Sequence, residues 1–206
     1  MVTLDPSGSG NTPPGHRFLR IPHQWRAIVR ADEAGLVLLG AIVGVIAGCC
    51  VALMVAVVQA LHHWLFAVDG HEVSGAAYID PLRAAFVPTA GGILMGLIGW
   101  ISTRRLRVPI IDPVESNALH GGRIPMTGSL LLVLQTMVSN GCGASIGMEA
   151  GYTQIGSAFA SRLGQIFRVR RNDLRILVGC GAAGAIAAAF DAPLTGAFYA
   201  YELIIA

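Results

Sequence analysis

Residues 124–161 read IPMTGSLLLVLQTMVSNGCGASIGMEAGYTQIGSAFAS and carry a single formal charge, the carboxylate of Glu149. An acid in so apolar a run is costly at membrane depth and marks a functional site by default. Gly147 and Gly151 flank it and let the backbone turn and approach a ligand closely. If a helix begins at this point, its unpaired N–H groups and its dipole form an electropositive pocket without a fixed positive charge. Such a pocket receives anions, so Gly147, Met148, Glu149 and Ala150 are the first candidate site residues.

Working outward, the rest of the chain fits the same solvent. Of its 206 residues 54% are hydrophobic and 13% charged, with a mean hydropathy of +0.63. Ala34 to Val68 and Ala84 to Thr103 contain no Asp, Glu, Lys or Arg. Each reaches the roughly 20 residues a membrane-spanning helix requires. The chain therefore reads as an integral membrane protein, with the lipid bilayer as its surroundings.

Charge distribution supplies a topology. Arg17, Arg20, Arg26 and Arg30 precede the first span and Arg104, Arg105 and Arg107 follow the second, while Asp69, Glu72 and Asp80 face Arg83 between them. The positive-inside rule predicts a cytoplasmic N-terminus and an in–out–in hairpin. Residues 1–30, polar and rich in Pro and Gly, lack the apolar core of a secretory signal and are expected to form a largely disordered cytosolic tail. Gly40, Gly44 and Gly48 in the first span, and Gly92 and Gly96 in the second, have the four-residue spacing that lets helices approach closely in lipid.

After Val108 the pattern changes to shorter apolar pieces broken by Gly and isolated charges: 124–148, 150–161, 176–190 and 192–201. The first is long enough to span and the others are short. Interrupted pieces of this kind predict discontinuous helices meeting around a transported ion. Arg168, Arg170, Arg171 and Arg175 form a basic loop that favours the cytoplasmic side. The small residues from Gly179 to Ala189 suit close helix packing, and Asp191 before Ala192-Pro193 reads as an N-cap with proline in the first turn. The sequence closes at Ala206 inside an apolar run without a polar tail, which reads as a chain cut short.

Several functional classes are disfavoured. All fourteen basic residues are Arg and the net charge is +2, with no basic stripe for nucleic acid. Cys49, Cys50, Cys142 and Cys180 lie in apolar segments without metal-ligand spacing and are expected to be small core residues; no metal or cofactor is implied. Gly143-Ala144-Ser145-Ile146-Gly147 matches the G-x-S-x-G elbow of serine hydrolases, but no histidine follows Ser145. His62, His63 and His120 fall near expected helix ends, so the chain is not read as an enzyme.

Two segments together resemble a known family. Ala187-Ala188-Ala189-Phe190-Asp191-Ala192-Pro193-Leu194-Thr195-Gly196 resembles the A-A-A-F-N-A-P-L-A-G segment of CLC chloride channels and chloride/proton exchangers, and Gly147 to Gly151 followed by Gln154-Ile155-Gly156 is similar to that family's G-[KR]-E-G-P and V-Q-I-G motifs. The resemblance covers about residues 25 to 206. It implies an all-α membrane protein with long tilted and discontinuous helices, of which residues 31–206 form the first, incomplete half of an inverted-repeat fold. It further implies a homodimer with one anion pathway per subunit, in a bacterial inner membrane, carrying chloride or a similar small anion.

In that family the gating carboxylate occupies an anion site made by helix N-termini, and its protonation or displacement by chloride opens the path; the resemblance assigns this role to Glu149. The departures are specific. Met148 stands where the family has a basic residue, and Ala150 and Gly151 stand for Gly and Pro. Aligning on Gly121-Gly122-Arg123 sets Val108 where the family has the serine that contacts the inner anion. The proton-accepting glutamate of exchangers aligns with Leu203, one residue after Glu202, which favours passive conduction over coupled exchange unless Glu202 substitutes as the proton path. The expectation is passive, channel-like chloride conduction gated by Glu149. A chloride or fluoride/proton exchanger is the alternative within transport, and a truncated, transport-inactive membrane fragment is the alternative outside it.

Overall fold

A computed structural model describes residues 33–67, 79–106, 109–144 and 146–205. Residues 1–30 of the expected tail, the loop acids Asp69 and Glu72, and the site candidates Val108 and Ser145 lie outside the described residues. The described residues are helical and contain no strand. In order they form α1 (Glu33–Phe66), α2 (Pro81–Ile101) ending in a π-helical turn (Ser102–Leu106), α3 (Pro113–Leu119), α4 (Met126–Gly141), α5 (Glu149–Phe167), α6 (Arg171–Phe190) and α7 (Pro193–Ala200), which continues into a second π-helical turn (Tyr201–Ile205).

Among the described residues three helices are long and apolar enough to cross a membrane: Glu33–Phe66, Pro81–Arg104 and Arg171–Phe190. The first two are the spans expected from sequence. The third corrects the reading of 176–190 as a short piece, because the helix extends back through Asp173 and Arg171 to 20 residues. Conversely α4 stops after 16 residues at Gly141, so 124–148 is not one spanning helix. Its end is set by Gly143, whose φ of +90° suits a residue without a Cβ.

Helices α1, α5 and α6 make the centre. Ala47, Val51 and Met54 of α1 meet Tyr152 and Ile155 of α5, Val133 of α4 and Ala185 of α6. Toward the other end Leu39 and Val43 meet Ala160 and Leu177. Lipid is as apolar as these side chains, so their assembly depends on close van der Waals fit rather than removal from water. Glycine supplies that fit. A Cβ on Gly156 would collide with the Gly181 carbonyl, and one on Gly181 with the Gly156 carbonyl, so α5 and α6 cross backbone against backbone. A Cβ on Gly184 would lie 2.7 Å from Gly44 Cα, bringing α1 equally close to α6.

The small-residue run in α6 therefore packs as its composition implied, and Gly40 and Gly48 of α1 face Cys180 and Ala188 of the same helix. The second span behaves differently, since Cβ atoms on Gly92 or Gly96 would meet nothing within 4 Å. Those two glycines mark no helix contact among the described residues, whereas the adjacent Gly91 is buried and packs closely on Cys142 at the end of α4. Cys49 is exposed and the other three cysteines are half-buried, so Cys49 departs from the core role expected of it.

Buried hydrogen bonds knit the short elements onto this centre. Ser161 Oγ donates to the Gly122 carbonyl at 2.6 Å and accepts from the Ile124 amide at 3.0 Å. Asn117 Nδ2 donates to the carbonyls of Arg175 at 3.1 Å and Ile204 at 2.9 Å. The expected N-cap at Asp191 is corrected: Asp191 closes α6 in the left-handed region (φ 50°, ψ 36°), and Ala192 precedes α7 without a side-chain cap. Asp tolerates that conformation better than most residues, and the Ala192 amide reaches back to the Ala187 carbonyl at 3.1 Å. Proline does open α7, as expected.

Candidate functional site

Helix α5 begins at Glu149, so the helix start that the sequence allowed here is present. Met148 is its N-cap residue, and no side chain caps the first turn. The amides of Glu149, Ala150 and Gly151 precede the first intrahelical bond, which runs from the Tyr152 amide to the Met148 carbonyl at 3.0 Å. They carry the helix's positive partial charge. Glu149 itself is exposed, as are Gly147 and Ala150, while Met148 is half-buried.

The carboxylate folds back over the preceding backbone, so that a Cβ on Gly147 would strike Glu149 Oε2. The glycine before the acid is thus required by close approach of the side chain. Gly151, one turn later, is buried against Thr136 of α4 and Met54 of α1, with the site of a Cβ 3.1 Å from Thr136 Cγ2 and 3.3 Å from Met54 Cε. Met148 Sδ accepts from the Tyr152 hydroxyl at 3.4 Å. These contacts hold the mouth of α5 rigidly between two neighbouring helices while leaving the acid free.

Gln154, further along α5, was quoted in the sequence only as part of a motif, and its role emerges here. Its side-chain amide donates to the Ile111 carbonyl at 2.9 Å and to Ser129 Oγ at 2.8 Å, at 1% exposure. It thereby brings the extended segment 109–112 beside α5. A buried amide in a charge-free run was the available signal. Val108, the expected inner anion contact, immediately precedes that segment but is outside the described residues.

Sequence reading also missed Asp112. Its Oδ1 accepts from the Glu115 amide at 2.8 Å and caps α3. A carboxylate therefore occupies the start of α3, the place where an anion would otherwise meet free amides. Glu202 lies exposed in the second π-helical turn, beside exposed Leu203. That turn is fastened to α3 through Asn117 and Ile204. So α3 links the surroundings of α5 to those of Glu202, but Glu149 and Glu202 are not joined by a hydrogen bond.

The chain is similar in sequence to known proteins. Residues 109–206 match the family model described as "Voltage gated chloride channel". A voltage-gated ClC-type chloride channel ClcB from Yersinia pseudotuberculosis is 30% identical over 170 residues, which are 75% of this chain and 41% of that protein. Chloride channel protein CLC-f from Arabidopsis thaliana is 29% identical over 184 residues, 84% of this chain and 22% of the relative. A chloride/fluoride channel protein from Pseudomonas syringae is 35% identical over 81 residues, 39% of this chain and 18% of the relative. No solved structure gives a significant match. The chain spans about two fifths or less of the length of these relatives. With helices built to cross a membrane and this match to the family's sequences, the chain is an integral membrane protein that belongs to the CLC, or voltage-gated chloride channel, family.

Proposed function

We propose that these residues belong to a protein that moves chloride or a similar small anion passively across the membrane, with Glu149 as its gate. The observation that carries this reading is the exposed Glu149 carboxylate at the uncapped start of α5, held between α1 and α4. Partial charges of the α5 amides attract an anion strongly enough to admit it and weakly enough to release it. Glu149 competes for the same amides when ionised; protonation or displacement by chloride moves it away. Gly147, Met148 and Ala150 line that mouth, and Val108 would stand at the inner contact.

In the same reading residues 31–206 form the first of two inverted repeats, the N-terminus is cytoplasmic in a bacterial inner membrane, and two subunits pair as a homodimer. Conduction is favoured over exchange because Leu203 cannot accept a proton. Coupled exchange of chloride or fluoride for protons is the second reading, and the exposed carboxylate of Glu202 beside Leu203 supports it.

Liposomes containing this chain, its Glu149→Gln variant, or no protein test the proposal through chloride efflux with parallel pH recording. Efflux above the protein-free level that changes in the variant supports gating by Glu149; proton movement coupled to it selects exchange. If neither this chain nor a longer protein containing it conducts, the anion pathway is wrong and the membrane-fragment reading stands.

A further inference from the structure

Two adjoining cavities of about 340 Å³ each open at the end of the molecule remote from the start of α5. They share Arg123, Val169 and Leu174 as walls. Arg168 and Gln165 complete the first, and His120 and Arg171 the second. The guanidinium-bearing residues Arg123, Arg168 and Arg171 are exposed, and none forms an ion pair with a described carboxylate. Two acids lie nearby: Glu115, 3.8 Å from His120, and Asp173 in the first turn of α6. Three arginines line the paired cavities, and neither nearby acid is among the lining residues.

The backbone is shaped to hold them there. Gly121 has φ +60°, and a Cβ on it would collide with Arg171 Nε and lie 2.9 Å from its Cγ. Arg171 therefore lies across the α3–α4 turn while remaining exposed. Gly122, with φ +80°, sits against the backbone of Leu174 and Arg175. Arg168 closes α5 in the left-handed region at φ 53°, where glycine is the ordinary residue. A charge bias alone would require arginines in the loop, but not this convergence.

We propose that the paired cavities bind a phosphate-bearing anion, with a phospholipid headgroup as the source that the setting favours. The walls lie beside the first turn of α6, a helix apolar enough to cross the membrane, so the cavities fall at headgroup level. Planar guanidinium groups grip phosphate oxygens in pairs. Leu119, Val169, Ile166 and Leu174 offer apolar surface beside them, which suits a headgroup attached to acyl chains. This site is separate from Glu149 and does not depend on the anion pathway.

The test uses the whole chain in nanodiscs of phosphatidylcholine with phosphatidylglycerol, measured by native mass spectrometry for retained lipid. A second arm titrates inorganic phosphate into phosphatidylcholine nanodiscs and follows the thermal transition. The variant combines Arg123→Gln, Arg168→Gly and Arg171→Gln; Arg168→Gly alone keeps the left-handed backbone relaxed while removing one guanidinium, and Arg104→Gln is the control. Selective phosphatidylglycerol retention that falls on the order of 100-fold in the triple variant, and measurably in Arg168→Gly, supports the lipid source. Saturable stabilisation by phosphate, lost in the same variants without lipid selectivity, supports a free phosphate ion. Retention and stabilisation that are absent, or equal in the folded variants and the control, overturn the site.

Discussion

The side-chain amide of Gln154 donates to the Ile111 carbonyl at 2.9 Å and fastens the segment before α3 to the helix that begins at Glu149. Gln154→Leu fills similar space but leaves the part-buried Ile111 carbonyl without this donor and removes the buried 2.8 Å bond to Ser129. The expected cost is about 2 kcal/mol. Thermal unfolding in detergent, followed by tryptophan fluorescence, checks it; an unchanged transition would mean that the contact does not hold the segment.

Glu149→Gln retains the shape of the proposed gate and replaces its carboxyl group with a neutral amide. On the proposed gating role, anion flux through a protein containing these residues is expected to rise at neutral pH and to lose most of its dependence on pH, because a neutral amide imitates the protonated acid. Flux measured in liposomes across an acidic-to-neutral series checks this. The same pH dependence in wild type and variant would remove Glu149 from the gate.

Asp112→Asn preserves an oxygen that can accept from the Glu115 amide but abolishes the charge. If the capping carboxylate repels anions in the proposed pathway, a conducting protein carrying this variant passes chloride faster, with little change in stability. Parallel flux and thermal measurements separate this outcome from a folding defect, and unchanged flux would limit Asp112 to capping.

Glycines of similar sequence context should respond oppositely to one added methyl group. Gly184→Ala forces α6 away from Gly44 and is expected to cost about 2 kcal/mol, whereas Gly96→Ala meets open space. In a helix, alanine also has the higher propensity, so Gly96→Ala should be neutral or slightly stabilising. The two transitions in detergent give the comparison directly.

Ser161 offers a sharper test of the polar framework, since its fully buried hydroxyl serves the Gly122 carbonyl, the Ile124 amide and Gln165 Nε2. Ser161→Ala leaves these partners unsatisfied and is expected to cost about 3 kcal/mol. Hydrogen exchange at the Ile124 amide should accelerate with the loss of stability. Unaltered protection there would show that the turn is held by other contacts.

What the sequence by itself determined follows from short-range physics. Uncharged runs over Ala34 to Val68 and Ala84 to Thr103 have no other favourable solvent than lipid, and both became spanning helices. The glycines around Glu149 announced the start of α5, and the small residues from Gly179 onward announced a close helix crossing, because backbone turning and side-chain volume are local properties. Tertiary structure alone decided which partner each small or polar residue met. Gly40 faces Cys180 while Gly96 meets no described atom within 4 Å, though both belong to glycine runs of four-residue spacing. Asp191 became the end of one helix instead of the cap of the next, since the backbone bond from Ala192 to Ala187 settled the turn. Gln154 found Ile111, Ser161 found Gly122 and Arg171 settled over Gly121 through contacts between residues far apart in the chain. No local preference encodes such pairings; they arise only when α5 and α6 have packed and every buried polar group must find a partner in a medium without water.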